Sequence, residues 1–204
     1  RASTATVDIT LNTLALATST MSAGTVFNTT VDGTAYQFTT STAVTASNTG
    51  AGITYNDTKI YEGTFISTRY TVDSTDADQR FLLTSNSADT TTLTVKVQTS
   101  SSDTTTNTYT EATDITQVGT DSNVYFLQEV ERGLFEVYFG DGLVGKAVGD
   151  GNIVILKYIV SNVDEANGAS AFTPSGAISG FTNITVTTET AAAGGAAAET
   201  IEII

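Results

Sequence analysis

The chain has 204 residues without Cys or His, so it lacks the side chains that carry Ser-His-Asp and Cys-His catalysis and that bind most zinc and copper ions. Its 22 acidic and 8 basic residues give a formal charge of −14, and nucleic acids and anionic lipid headgroups are expected to repel it. We therefore expect no enzymatic activity, no cofactor, no small-molecule ligand, and neither a nucleic-acid nor a membrane partner.

Strands are predicted along most of the chain, because β-branched and aromatic residues alternate with turn-forming Asn, Asp and Gly. Apolar and polar residues alternate with period two in 5–11 and in 93–97, which is typical of a half-buried strand. Further strands are predicted at 25–31, 36–40, 59–72, 80–84, 124–130, 134–139, 152–160 and 184–188. Helical periodicity is nearly absent, so the predicted fold is mainly β, with short antiparallel strands and little helix.

Turns and a linker are predicted between and after these strands. Asp32-Gly33 and Gly140-Asp141-Gly142 tolerate the positive φ that tight hairpin turns require. The Ala- and Gly-rich segment 191–198 is interpreted as a linker, with a truncated amphipathic helix as the alternative. Residues 199–204 are interpreted as the start of a truncated following element.

The segment Gly140-Asp141-Gly142-Leu143-Val144-Gly145-Lys146 matches the first seven positions of the phosphate-binding loop G-x-x-x-x-G-K-[ST]. The next residue is Ala147, which lacks the hydroxyl that binds Mg²⁺, and the residues after it predict a strand instead of the required helix. We interpret the segment as a hairpin connection between the predicted strands 134–139 and 152–160, without affinity for phosphate.

Two groups of acidic residues are interpreted as surface features. Asp73, Asp76 and Asp78 lack the spacing of a D-x-[DN]-x-[DN]-G calcium loop and are expected in a solvated loop. Glu129 and Glu131 are expected to share one face of a strand, whereas the acid and base of a glycosidase usually come from separate elements around a cleft. The sequence thus predicts no catalytic, cofactor-binding or metal-binding residue.

Two sets of motifs resemble a known family. The segments SAGTVF at 22–27 and DGTAYQFTT at 32–40 are similar to the A-G-T-x-F … G-x-x-Y/F-x-T-T signature of the baseplate J family of phage tail proteins. A longer series resembles the baseplate wedge proteins encoded by gene six of T4-like contractile-tailed phages. In chain order it consists of KIYEG at 59–63, QRF at 79–81, YFLQE at 125–129, FEVYFGDGLVGK at 135–146 and EANGA at 165–169.

The resemblance implies a structural wedge subunit that contacts copies of itself and other wedge proteins in a ring around the tail hub. Such a subunit is assembled in the host cytoplasm and becomes part of the virion, in the tail baseplate. The resemblance implies that in ordinary baseplate J proteins the A-G-T motif is soon followed in the chain by a region that contains Asn-Gly. In this chain a long stretch of residues separates these two regions. We therefore predict a β domain from 1–57 and 162–198, with a second β domain, 58–161, inserted into it.

Two questions stay open at the level of sequence. The alternative function is a carbohydrate-binding or adhesin-like β module, which would need an exposed aromatic platform or a calcium site, and the chain has no Trp. The second question is whether five aromatic residues of the wedge-like motifs contact other subunits or fill the core. They are Tyr125, Phe126, Phe135, Tyr138 and Phe139.

Overall fold

The computed structural model describes residues 1–161 and 166–196, and this part of the chain is mainly β-structure, as predicted. The strands are β1 (Thr4–Leu11), β2 (Thr18–Met21), β3 (Val26–Val31), β4 (Thr34–Thr40), β5 (Val44–Ser47), β6 (Ile53–Glu62), β7 (Thr64–Thr71), β8 (Phe81–Leu82), β9 (Ala88–Gln98), β10 (Thr106–Glu111), β11 (Val124–Glu129), β12 (Phe135–Phe139), β13 (Ile153–Val160), β14 (Thr173–Pro174) and β15 (Ile184–Ala193). Two short 3-10 turns, Ile115–Gln117 and Glu131–Gly133, are the only helical segments in the described ranges. Neither is long and apolar enough to cross a membrane.

The chain divides into two compact units, each built from separate segments. The first contains Arg1–Phe65, Asp89–Thr91 and Ile159–Ile204, and the second contains Ile66–Ala88 and Thr92–Tyr158. The domain bounds proposed from the sequence, 1–57 with 162–198 and 58–161, stay a prediction.

The first unit contains a six-stranded sheet of order β14-β3-β4-β6-β1-β15 and the two-stranded sheet β2-β5. β1 lies between β6 and β15, and its inward side chains Ala5, Val7, Ile9 and Leu11 are fully buried. This confirms the alternation predicted for 5–11. Burying a Val, Ile or Leu side chain stabilises a fold by about 1.5–3 kcal/mol, so β1 forms the centre of this core.

Two turns direct the chain at β3 and β6. Asp32 (φ 50°) and Gly33 (φ 84°) join β3 to β4 as an antiparallel hairpin, as predicted. The prediction of one strand over 59–72 is wrong, because Gly63 separates β6 from β7 with a φ of 124°. A Cβ atom at Gly63 would lie 2.2 Å from the carbonyl oxygen of Val160, so only glycine fits there.

The segment 191–198, predicted as a linker, begins inside the sheet, which corrects that prediction. β15 continues to Ala193, which pairs with Thr4, and the backbone of Ala192 is hydrogen-bonded to Gly168 and Ala169. Backbone pairing needs no apolar side chain, so an Ala-rich composition does not exclude a strand. Residues 197–204, with the element predicted at 199–204, lie outside the described residues.

The seven-stranded sheet of the second unit has the order β7-β13-β9-β10-β11-β12-β8. The predicted hairpin between 134–139 and 152–160 is therefore wrong, because β12 lies between β11 and β8 whereas β13 lies between β7 and β9. β10 and β11 form a parallel pair. The sequence does not predict β10 (TNTYTE), since Tyr109 is its only apolar side chain and therefore gives no alternation.

Aromatic rings pack edge to face in a row through the second unit. The ring centroids are 5.7 Å apart for Tyr70 and Phe81, 5.6 Å for Phe81 and Phe139, and 5.3 Å for Phe139 and Tyr109. Each such pair contributes about 0.5–1.5 kcal/mol beyond the burial of its area. The row holds the end of β12 in place, and with it the start of the loop that follows.

Candidate functional site

The loop of residues 140–146 follows β12 and is closed by its own hydrogen bonds. The N–H of Gly142 donates to the C=O of Gly145 at 3.0 Å. The Asp141 carboxylate accepts from the N–H groups of Leu143 and Val144 at 2.9 and 3.0 Å. A phosphate-binding loop presents such N–H groups to its ligand, so a phosphate would have to compete with these bonds.

A second loop is hydrogen-bonded to the first. The N–H of Gly145 donates to the C=O of Gly119 at 3.1 Å, and the N–H of Lys146 donates to the C=O of Ser122 at 2.9 Å. Both loops lie at one end of the sheet, because β11 begins beside the end of β12. Residues 114–122 and 140–146 are hereafter called the loop pair.

The loop pair exposes large apolar side chains to solvent. Leu143 is 76% exposed, Ile115 is 63% exposed and Val144 is 36% exposed. Leu143 and Val144 are adjacent in the chain, and exposed apolar side chains that lie together are typical of protein contact sites. None of these residues is predicted from the sequence as a contact residue, although a Leu-Val pair between turn-forming glycines is too short for a strand and indicates exposure.

Two aspartates cap the backbone of the loop pair. Hydrogen bonds from the N–H groups of Val144 and Leu143 lower the pKa of Asp141 below its ordinary value. The hydroxyl and N–H of Thr116 lower the pKa of Asp114 in the same way. The stabilisation from both caps is therefore present above a pH of about 4, the ordinary Asp pKa, and is lost as the pH falls through the lowered values.

Gly142→Val is expected to lower the free energy of unfolding by about 1–2 kcal/mol, because a branched residue is strained at a φ of 86° even where the surrounding space is open. Lys146→Ala should leave stability nearly unchanged, since the Lys146 side chain is exposed. Denaturant unfolding measures both. Micromolar binding of ATP or GTP that is lost in Lys146→Ala would contradict our interpretation of this loop.

The acidic residues chosen from the sequence serve local structure. Asp73 and Asp76 each accept an N–H from two residues further along, at 2.9 and 3.0 Å, which closes their loop. The prediction that Glu129 and Glu131 share a strand face is wrong, because β11 ends at Glu129 and a 3-10 turn begins at Glu131. Over 1–161 and 166–196, no group of three or more acidic residues is placed to hold a metal ion.

The aromatic residues of the wedge-like motifs differ in exposure. Tyr125 is buried, Tyr138 is 36% exposed, and the other three, Phe126, Phe135 and Phe139, are half-buried. Burial, aided by the Glu111 carboxylate, raises the pKa of Tyr125 to about 12. Most of these rings therefore pack within the unit, and Tyr138 offers the most accessible ring of the five.

No protein-family model matches this chain, and no curated protein does either.

Proposed function

We propose that this chain is a structural part of a phage tail baseplate wedge and contacts copies of itself and other wedge proteins in the ring around the tail hub. The observation that supports this role is the loop pair, which displays Leu143, Val144 and Ile115 to solvent on hydrogen-bonded loops. The segment GDGLVGK, through which the chain resembles wedge proteins, forms half of that surface. Burial of these side chains against another subunit would remove apolar area from water.

The charge of the chain governs when such contacts form. With a formal charge of −14, copies repel one another through water, but the Debye length is only about 8 Å at physiological ionic strength. Self-association is therefore expected to strengthen as salt rises from low to physiological concentration. A nucleic-acid-binding protein would show the opposite dependence.

Replacing both Leu143 and Val144 with Ser is expected to weaken self-association, or binding to another wedge protein, about tenfold or more. Burial of one Leu side chain alone contributes about 1.5–3 kcal/mol, and 1.4 kcal/mol corresponds to about tenfold in affinity. Sedimentation across a salt series measures the effect. Leu14→Ser is the matched control, because Leu14 is 71% exposed but belongs to the first unit.

Two results would contradict the proposal: a chain that stays monomeric in every salt and binds no wedge protein, or a double variant that associates like the wild type. Antibody labelling of purified phage particles tests the location, and label is expected at the tail tip. Glycan binding without label at the tail would favour the carbohydrate-binding alternative.

A further inference from the structure

A groove of about 540 Å³ lies in the second unit beside the free end of β12. β8 pairs with β12 only where Leu82 faces Glu136 and Phe81 faces Val137. The chain that precedes Phe81 then diverges from β12. The groove occupies the space between that chain and the edge of β12 beyond Val137.

The edge of β12 is held open there. The side-chain amide of Gln79 donates to the C=O of Thr71 at 2.8 Å, which fixes the diverging chain away from β12. The C=O of Phe135 accepts from the N–H of Leu83 at 2.8 Å, on the β8 side. Alternate residues of a strand present their backbone groups to the same edge, so Phe139 presents its N–H and C=O to the groove, where no described residue pairs with them.

The groove wall contains a buried carboxylate with one unused oxygen. The Glu136 side chain is only 6% exposed, and its Oε2 accepts from Arg80 Nε at 2.9 Å, Arg80 Nη2 at 2.6 Å and Tyr138 Oη at 3.2 Å. Its Oε1 has no hydrogen-bond partner in the described part of the chain and is not sealed from solvent. A largely buried acceptor without a partner favours a ligand that brings a donor.

Charge favours a cationic donor. Asp78 also lines the groove, so its lining contains two carboxylates, from Asp78 and Glu136, and one guanidinium, from Arg80. The chain as a whole carries −14, which adds a long-range attraction for cations. The partly exposed ring of Tyr138 offers a face for a cation–π contact.

We propose that the groove binds an extended segment of a partner protein, which pairs with the edge of β12 at Phe139 and places a Lys or Arg side chain on Glu136 Oε1. A peptide is favoured over a free amine, because the acceptor lies beside an open strand edge that offers further backbone hydrogen bonds. The identity of that partner, a wedge subunit or a second copy, rests on the proposed function, whereas peptide binding is tested separately.

The test is an NMR titration of the 204-residue chain with the capped peptide acetyl-Thr-Val-Arg-Val-Thr-amide. The amide signals of Tyr138, Phe139 and Gly140 are expected to shift. A peptide with norleucine in place of Arg should bind about tenfold to a hundredfold more weakly, because it lacks a charged hydrogen bond. Glu136→Gln should weaken binding of the Arg peptide to a similar extent.

Asp78→Asn keeps the test decisive if Glu136→Gln fails to fold, because Asp78 is exposed and no described residue donates to its carboxylate. It should weaken binding of the Arg peptide about twofold to fivefold. Glu129→Gln, an exposed carboxylate that does not line the groove, should leave the affinity unchanged.

Three results would overturn the proposal: equal binding of the norleucine peptide, shifts confined to residues outside the groove, or acetyl-arginine amide binding as tightly as the peptide. If the chain binds the peptide but neither self-associates nor binds wedge proteins, the proposed wedge role is contradicted and the proposed peptide-binding groove is retained. If association depends on Leu143 and Val144 but the peptide does not bind, only the proposed peptide-binding groove is contradicted.

Discussion

Gly63→Ala is expected to unfold the first unit or to lower its free energy of unfolding by more than about 3 kcal/mol, a large fraction of the stability of an ordinary domain. A Cβ atom there would lie 2.2 Å from the carbonyl oxygen of Val160 and 2.9 Å from the Cα of Ser161. Both neighbours are backbone atoms, so neither can rotate aside as a flexible side chain would. Thermal and denaturant unfolding beside the wild type measures the loss.

Gly33→Ala is the matched control for Gly63→Ala. Gly33 also has a positive φ, 84°, but a Cβ atom there would meet no atom within 4 Å. Only the conformational cost of about 1–2 kcal/mol is therefore expected. Equal losses in the two variants would mean that φ alone, and not the close approach to Val160, explains the glycine at position 63.

Phe38→Ala is expected to lower the free energy of unfolding by about 3–5 kcal/mol, the range for removing a buried Phe side chain. Phe38 is fully buried on β4, and its ring packs edge to face against Phe172 with the centroids 4.9 Å apart. The two rings come from the segments Arg1–Phe65 and Ile159–Ile204 of the first unit. The contact therefore joins two distant parts of the chain within one core, and denaturant unfolding measures its loss.

A double-mutant cycle with Phe172→Ala separates this contact from general burial. A coupling free energy of about 0.5–1.5 kcal/mol is expected, because the rings touch directly. Phe38→Leu retains part of the side-chain volume and should cost less than Phe38→Ala. Strictly additive effects of Phe38→Ala and Phe172→Ala would argue that the two segments are stabilised independently.

The local features of the fold follow from the sequence alone. Alternation of apolar and polar residues predicts β1 and the centre of β9, where Val95 and Val97 are buried. The positive φ of Asp32 and Gly33 follows from their residue types. These features depend only on residues adjacent in the chain. The strands that the sequence does not predict, β2, β5, β10 and β14, are short and mostly polar, and backbone pairing with distant segments forms them.

Only part of the candidate site can be predicted in the same way. The glycine-rich segment 140–146 is evident from its residues. The strands that lie beside β12 are not, because β12 pairs with β8 and β11 and not with the next strand in the chain. The exposure of Leu143 and the unused oxygen of Glu136 depend on what the rest of the chain leaves uncovered. The sequence by itself thus determined most of the longer strands, the Asp32-Gly33 turn and the charge, each a property of neighbouring residues or of composition. Strand order, the loop pair and the groove were decided by the tertiary structure, because they arise from long-range packing that local patterns do not encode.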